Sequence, residues 1–228
     1  MRIGLITDTH MPASCKRLWD EVHVAFADVD LIWHGGDIVW ASVLDELEQI
    51  APTFAAKGNN DNGWHDPRLK QTQWLEVDGY RLAMVHDMEP EHEPIDLLRK
   101  TYLGNRHADV MVTGHTHFER MDFREGVLQI NTGSAVHPHL YSTRLGTVGI
   151  VEVDSAGIRA DIIRLGETEG LRNPGVAYTF DGDQVRCLGD GTSRNAYRRC
   201  ARRFGRRRPT SVDTVALWQQ RFRSMSSR

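Results

Sequence analysis

Seven residues in five short segments of this chain have side chains that can hold a cation. They are Asp8 and His10 in Asp-Thr-His, Asp37 in His-Gly-Gly-Asp, Asn59 in Gly-Asn-Asn-Asp, His86 in His-Asp, and His115 and His117 in Gly-His-Thr-His. Carboxylate, amide oxygen and imidazole without thiolate form a donor set suited to Mn, Fe, Zn or Ni rather than to a thiolate structural site. A spacing of two puts both ligands of Asp-x-His or His-x-His on one face of an extended segment. Where the strand is already curling, the same spacing lets the pair address two neighbouring ions. The glycines that precede these residues suit sharp turns or close backbone approach.

Each signal has a bland reading. A lone His at a strand end is more often a hydrogen-bonded structural residue, and Gly-Asp after a strand is often just a turn. Gly-Asn-Asn-Asp alone reads as a tight turn with Asn in a left-handed conformation. The conjunction of five such segments, each at a strand end, is what unrelated turns do not explain.

The elements that position them read as alternating strand and helix. Apolar runs predict strands at Ile3–Thr7, Asp30–His34 and Thr53–Lys57. Helical spacing of apolar residues predicts helices at Cys15–Phe26 and Val39–Ile50. This βαβαβ order argues for a sheet covered by helices. Beyond it, Trp74–Val77 and Tyr80–Val85 flank Asp78-Gly79, a strong hairpin signal. A helix is predicted near Ile95–Tyr102 and a strand at Asp109–Thr113. Two further strand pairs are predicted: Met121–Phe123 with Val127–Ile130, and Val148–Val153 with Gly157–Ile163. The expected architecture is α/β, a two-sheet sandwich with helices outside. The candidate ligands sit at carboxyl ends of strands, the edge where ligands bind in α/β folds.

Composition excludes several classes. Hydrophobic residues are 40% and charged residues 26%, an ordinary globular balance. No apolar run approaches the roughly 20 residues that span a bilayer. The chain opens directly on a strand-like run, so no targeting segment is expected. Cys15, Cys187 and Cys200 are too few and too scattered for a disulfide framework, which fits a cytoplasmic setting.

Asp-x-His, Gly-Asp, Gly-Asn-x-Asp, a lone His and Gly-His-x-His, in this order over residues 1–165, resemble the calcineurin-like metallophosphoesterases, in particular their small prokaryotic phosphodiesterase branch. The resemblance implies a sandwich of two mixed sheets flanked by helices and a site for two divalent ions, Mn first among them. By position, Asp8, His10, Asp37 and His117 would hold one ion. Asn59, His86 and His115 would hold the other, with Asp37 bridging. Asp37, Asn59 and His86 would orient the attacking water and the phosphate for in-line hydrolysis of a phosphodiester. Its alternatives are a phosphomonoesterase or nucleotidase of the same chemistry, and a non-catalytic scaffold on the same fold.

The chain departs from the family pattern in three places. Asn60 stands where larger members carry a His that assists the leaving group. His86 is followed by Asp87 rather than Gly, and Asn-Thr-Gly-Ser at 131–134 replaces Asn-Pro-Gly-Ser. His34 reads either as a residue orienting a ligand or as a buried structural one. His65, His92, His137 and His139 read as loop residues. Asp61 reads either as a partner of His10 or as the holder of its turn.

Residues 166–228 form an expected extension: a hairpin over Val176–Leu188, then an Arg-rich helical pair. Twelve of the 28 basic residues lie between Arg186 and the C-terminus against two acidic ones, leaving residues 1–185 strongly acidic. An intramolecular clamp or a homodimer arm is the favoured reading, and a nucleic-acid surface the alternative.

Overall fold

The computed structural model describes residues 1–189. The predicted Arg-rich helices, with their expected clamp or dimer contact, lie outside the described residues. The apolar run Arg2–Ile6 is strand β1. It pairs in parallel with β2 (Leu31–His34), and β2 pairs with β3 (Thr53–Ala56). The register sets Ile6 beside His34 and His34 beside Ala55, so all three chains leave the sheet at one edge. On the second sheet, β6 (Tyr80–Met84), β7 (Val110–Thr113) and β9 (Val127–Thr132) also run in parallel, with Met84, Val112 and Ile130 in register. Every segment carrying a candidate ligand leaves one of these parallel strands.

The remaining strands complete a sandwich. Antiparallel β10 (Thr147–Asp154) and β11 (Gly157–Arg164) extend the first sheet beyond β1. The two-residue β4 (Leu69–Lys70) closes its other side. Strands β5 (Gln73–Val77) and β8 (Glu119–Arg124) edge the second sheet. The predicted hairpin is β12 (Ala177–Phe180) and β13 (Val185–Gly189), and β12 pairs with β11. The larger sheet therefore runs on past residue 165. Phe180 of β12 meets Phe123 of β8 with ring centroids 5.0 Å apart, joining the two sheets at that side.

Alternation along the strands builds the layers. Leu5 and Trp33 face the other sheet, packing with Leu82, Met84, Val112 and Ile130. Ile6 and Ile32 face α1 (Asp20–Ala25) and α2 (Ser42–Glu48), where Val22, Leu44 and Leu47 meet them. On the outer face of the second sheet, Ala83, Val85 and Met111 pack with Ile95 and Leu98 of α3 (Ile95–Tyr102). This is the expected helix-covered pair of mixed sheets.

Two helices are shorter than their apolar spacing predicts, for local reasons. Val39 has φ +74°, which no helix accommodates, because its N–H is drawn to the Asp61 carboxylate at 2.8 Å. Residues 11–19 wrap the first ligand loop instead of starting α1 early, and the Thr143 hydroxyl donates to the Ser14 carbonyl. The sequence does not predict strand β4, because two residues carry no periodicity. The Asp78-Gly79 turn behaves as predicted, with φ of +50° and +87°.

Trp33 is 1% exposed and lies between the sheets directly before His34. Trp33→Ala is expected to lower unfolding free energy by about 3–5 kcal/mol, measured by urea titration of the full chain.

Candidate metal centre

Asp37 lies where the two parallel edges meet. Its Oδ2 is 3.6 Å from Nε2 of His10 and its Oδ1 is 3.5 Å from Nε2 of His86. Around the first oxygen, Nε2 of His10 and Nε2 of His117 come within 3.1 Å of each other. Asp8 Oδ1 stands 3.9 Å and 3.7 Å from those two nitrogens. Around the second oxygen, Asn59 Oδ1 is 3.0 Å from both His86 Nε2 and His115 Nδ1, and the two imidazole nitrogens are 3.3 Å apart. The structure thus brings all seven sequence-predicted residues together, as two groups that share one carboxylate. Asp8, His10 and His117, and likewise Asp8, Asp37 and His86, place ligand atoms close enough to hold an ion.

Hydrogen bonds fix which nitrogen points inward. The His117 Nδ1–H donates to the His137 carbonyl at 2.9 Å, and the His86 Nδ1–H donates to the Gly35 carbonyl at 2.9 Å. A carbonyl only accepts, so in the neutral ring Nε2 carries the lone pair that faces the centre. Burial keeps these rings neutral. It lowers the pKa of His10 and His86, and brings that of His117 down to about 4. Burial also raises Asp8 well above the usual carboxylate range, with the Asp37 charge adding to it. Asp37 is pushed up by burial too, but the two hydrogen bonds from Asn60, with the His86 and His10 rings beside it, outweigh this and hold it low. Inward lone pairs on neutral imidazoles, beside anionic and amide oxygens, fit divalent cations.

The backbone is bent to achieve this. Asp8, His10, Asp37, His115 and His117 all have φ between +46° and +72°. A left-handed conformation costs a non-glycine residue about 1–2 kcal/mol, so tertiary bonds must hold each one. Gly36 takes the positive φ (+102°) that a sharp turn needs, and the candidate ligands themselves carry left-handed conformations as well. Gly58 and Gly114 permit the close approach. A methyl group on Gly58 would overlap the Asp37 carboxylate, and one on Gly114 would overlap the Thr7 hydroxyl.

The holding bonds are specific. Asp61 turns out to be the holder of its turn. Its carboxylate accepts from the N–H groups of Asp37, Gly58, Ile38 and Val39 at 2.8–2.9 Å. His34 is fully buried and accepts from the Gly36 N–H at Nδ1, so its Nε2–H donates to the Thr9 hydroxyl (3.1 Å for each). It ties the Asp37 loop to the Asp8–His10 loop without facing the centre. The His115 N–H donates to both oxygens of Asp8 at 3.0 and 3.2 Å. The Ser134 hydroxyl donates to the Asp8 carbonyl at 2.7 Å, and Asn131 Oδ1 accepts from the Gly133 N–H. His139 bonds the buried Glu119 at 2.7 Å, and His65 and His92 are exposed. Asn60, which stands where larger members carry a His, bonds both Asp37 oxygens. No periodicity or charge in the sequence marks it.

A family model described as the calcineurin-like phosphoesterase superfamily domain matches residues 1–156. The chain belongs to that family. This phosphoesterase-family chain is 34% identical over 169 residues to a probable metallophosphoesterase of Methanothermobacter thermautotrophicus, covering 73% of this chain and 94% of that protein. It is 27% identical over 175 residues to a phosphodiesterase of Methanocaldococcus jannaschii, covering 72% and 99%. Vps29 of Entamoeba histolytica, solved in complex with zinc, matches its fold with a TM-score of 0.58 at 16% identity, over 82% of this chain and 97% of that one.

Beside the second group of this calcineurin-like centre lies a cleft of about 450 Å³. It borders Asn59, His86 and His115 and is walled in part by Lys57, Gln71 and Tyr102. No helix among the described residues is long and apolar enough to cross a membrane.

His34 gives the centre a pH signature. Burial lowers its pKa to about 3, against about 6.5 when unfolded. Between those values the unfolded chain binds the proton and the folded chain does not. The contribution to stability is therefore complete above about pH 6.5 and is lost as pH falls toward 3. His34→Gln is expected to flatten the dependence of unfolding free energy on pH in this window by up to about 1.4 kcal/mol per pH unit, read from urea titrations at stepped pH. An unchanged slope would count against it.

Proposed function

We propose that this protein is a metal-dependent phosphodiesterase that uses two divalent ions. The observation that carries the reading is Asp37, whose two oxygens face two separate clusters of nitrogen and oxygen donors. Asp8, His10 and His117 would complete one subsite. Asn59, His86 and His115 would complete the other. Four imidazoles, two carboxylates and one amide oxygen form a mixed set of intermediate hardness, for which Mn is the first candidate and Fe, Zn or Ni follow. When bound, such a pair supplies Lewis acidity that activates a water and offsets charge on the phosphoryl oxygens.

The chain's own residues do the rest. His86 and His117 are locked by carbonyls, so their ring planes need no reorganisation when a substrate arrives. Asn59, His86 and His115 border the cleft, which would place the phosphate and one ester substituent on the second-subsite side. A phosphoester is the proposed partner, with a diester favoured by the relationship to an archaeal phosphodiesterase. Asn60 carries no proton suited to a leaving group and is spent on Asp37, so esters with good leaving groups are the expected substrates.

Asp37→Ala removes the shared carboxylate. Hydrolysis of bis-p-nitrophenyl phosphate with saturating Mn²⁺ is expected to fall by on the order of a thousandfold or more, with circular dichroism unchanged. Chelation should abolish wild-type activity and added Mn²⁺ restore it. Wild-type-like turnover of the variant would rule the reading out, and faster turnover of the monoester would shift it to a monoesterase.

A further inference from the structure

Asn60 makes two hydrogen bonds to one carboxylate, and they go to different oxygens. Its side-chain Nδ2–H donates to Asp37 Oδ2 at 2.6 Å, and its backbone N–H donates to Asp37 Oδ1 at 2.8 Å. Only the amide nitrogen can face a carboxylate here, since the amide oxygen would be repelled. Oδ2 is the oxygen turned toward His10, and Oδ1 is the one turned toward His86. The side chain of Asn60 therefore acts on the half of Asp37 that faces Asp8, His10 and His117. The backbone of Asn60, which no substitution removes, acts on the half that faces Asn59, His86 and His115.

Resting on the two-subsite reading above, we propose that Asn60 is a positioning residue that tunes the first subsite selectively. Its amide occupies one lone pair of Asp37 Oδ2 and leaves the other aimed at the His10–His117 pair. The carboxylate is thereby fixed in rotation about its own axis, with its two oxygens divided between the two subsites. Losing the side-chain bond would free Oδ2, while the Asn60 N–H and the backbone anchor from Asp61 would still hold Oδ1 and the loop. Asn60 itself is exposed, so its replacement leaves the packed layers intact.

The test is cobalt(II) alone, followed by its absorption spectrum, on full-length protein in two single-subsite backgrounds. His115→Ala weakens the second subsite so that the first titrates by itself. His117→Ala does the reverse. Adding Asn60→Ala to the first background is expected to weaken cobalt binding about tenfold, and adding it to the second background should leave affinity within about twofold. Asn60→Leu keeps the side-chain volume without the donor and should reproduce the loss. Equal losses in both backgrounds, no loss in either, or wild-type affinity with Asn60→Leu would overturn the proposal. If the unsubstituted chain binds no cobalt, or only one ion per chain, the two-subsite reading itself fails and takes this one with it.

Discussion

Everything in this centre depends on a carboxylate being made to face two ways. Asp37 can do so only if its backbone and both its oxygens are held. The Asp61 carboxylate grips the Asp37 N–H and three neighbouring amides, and Asn60 grips each oxygen of Asp37. Four N–H groups gathered on one buried carboxylate form charge-assisted bonds, stronger than neutral ones. They offset the left-handed conformation at Asp37 and at Val39, and they bind the β2 and β3 loops into one unit. A single residue, Asp61, thus fixes the position from which both donor groups are measured.

That unit is rigid because the strands beneath it are. The parallel registers in the two sheets fix where each chain leaves, and the apolar layers on both faces of each sheet prevent slippage. The bends occur only after the strands end. Stability and strain are separated in space: burial in the strands stabilises, and the ligand loops carry the unfavourable φ values. The cross-links between loops, His34 to Thr9 and Ser134 to Asp8, then keep each bend from relaxing independently.

All the strands but β4, and their order along the chain, were legible in the sequence, since apolar runs such as Ile3–Thr7 or Asp109–Thr113 suit buried strands. The candidate ligands stood out as well, because Asp8, His10, Asp37, Asn59, His86, His115 and His117 are polar residues placed where apolar runs stop. What periodicity cannot carry is the local override. Val39 fits the apolar stripe of a helix, but the Asp61 bond forces it out of one. Asn60 reads as a turn residue, yet its partner lies 23 positions away. His34 has the same apolar neighbours as any buried histidine, and only the fold shows that it links two loops. Each of these depends on a long-range partner that no local window contains.

The two x-spaced pairs show the same limit from another side. Asp8 and His10 are two apart with φ of +54° and +46°, and both come close to His117, while Asp8 also lies with Asp37 and His86. His115 and His117 are also two apart with positive φ, yet His115 meets Asn59 and His86 while His117 meets His10. Spacing and backbone sign are shared, so neither decides the destination. What differs is the partner of each loop. The His115 N–H is held by the Asp8 carboxylate just beyond β1, while the His117 ring is oriented by the His137 carbonyl. One pair meets at His117, and the other is divided between His10 and the Asn59–His86 group. A two-residue spacing therefore permits both outcomes, and the neighbouring chains select between them.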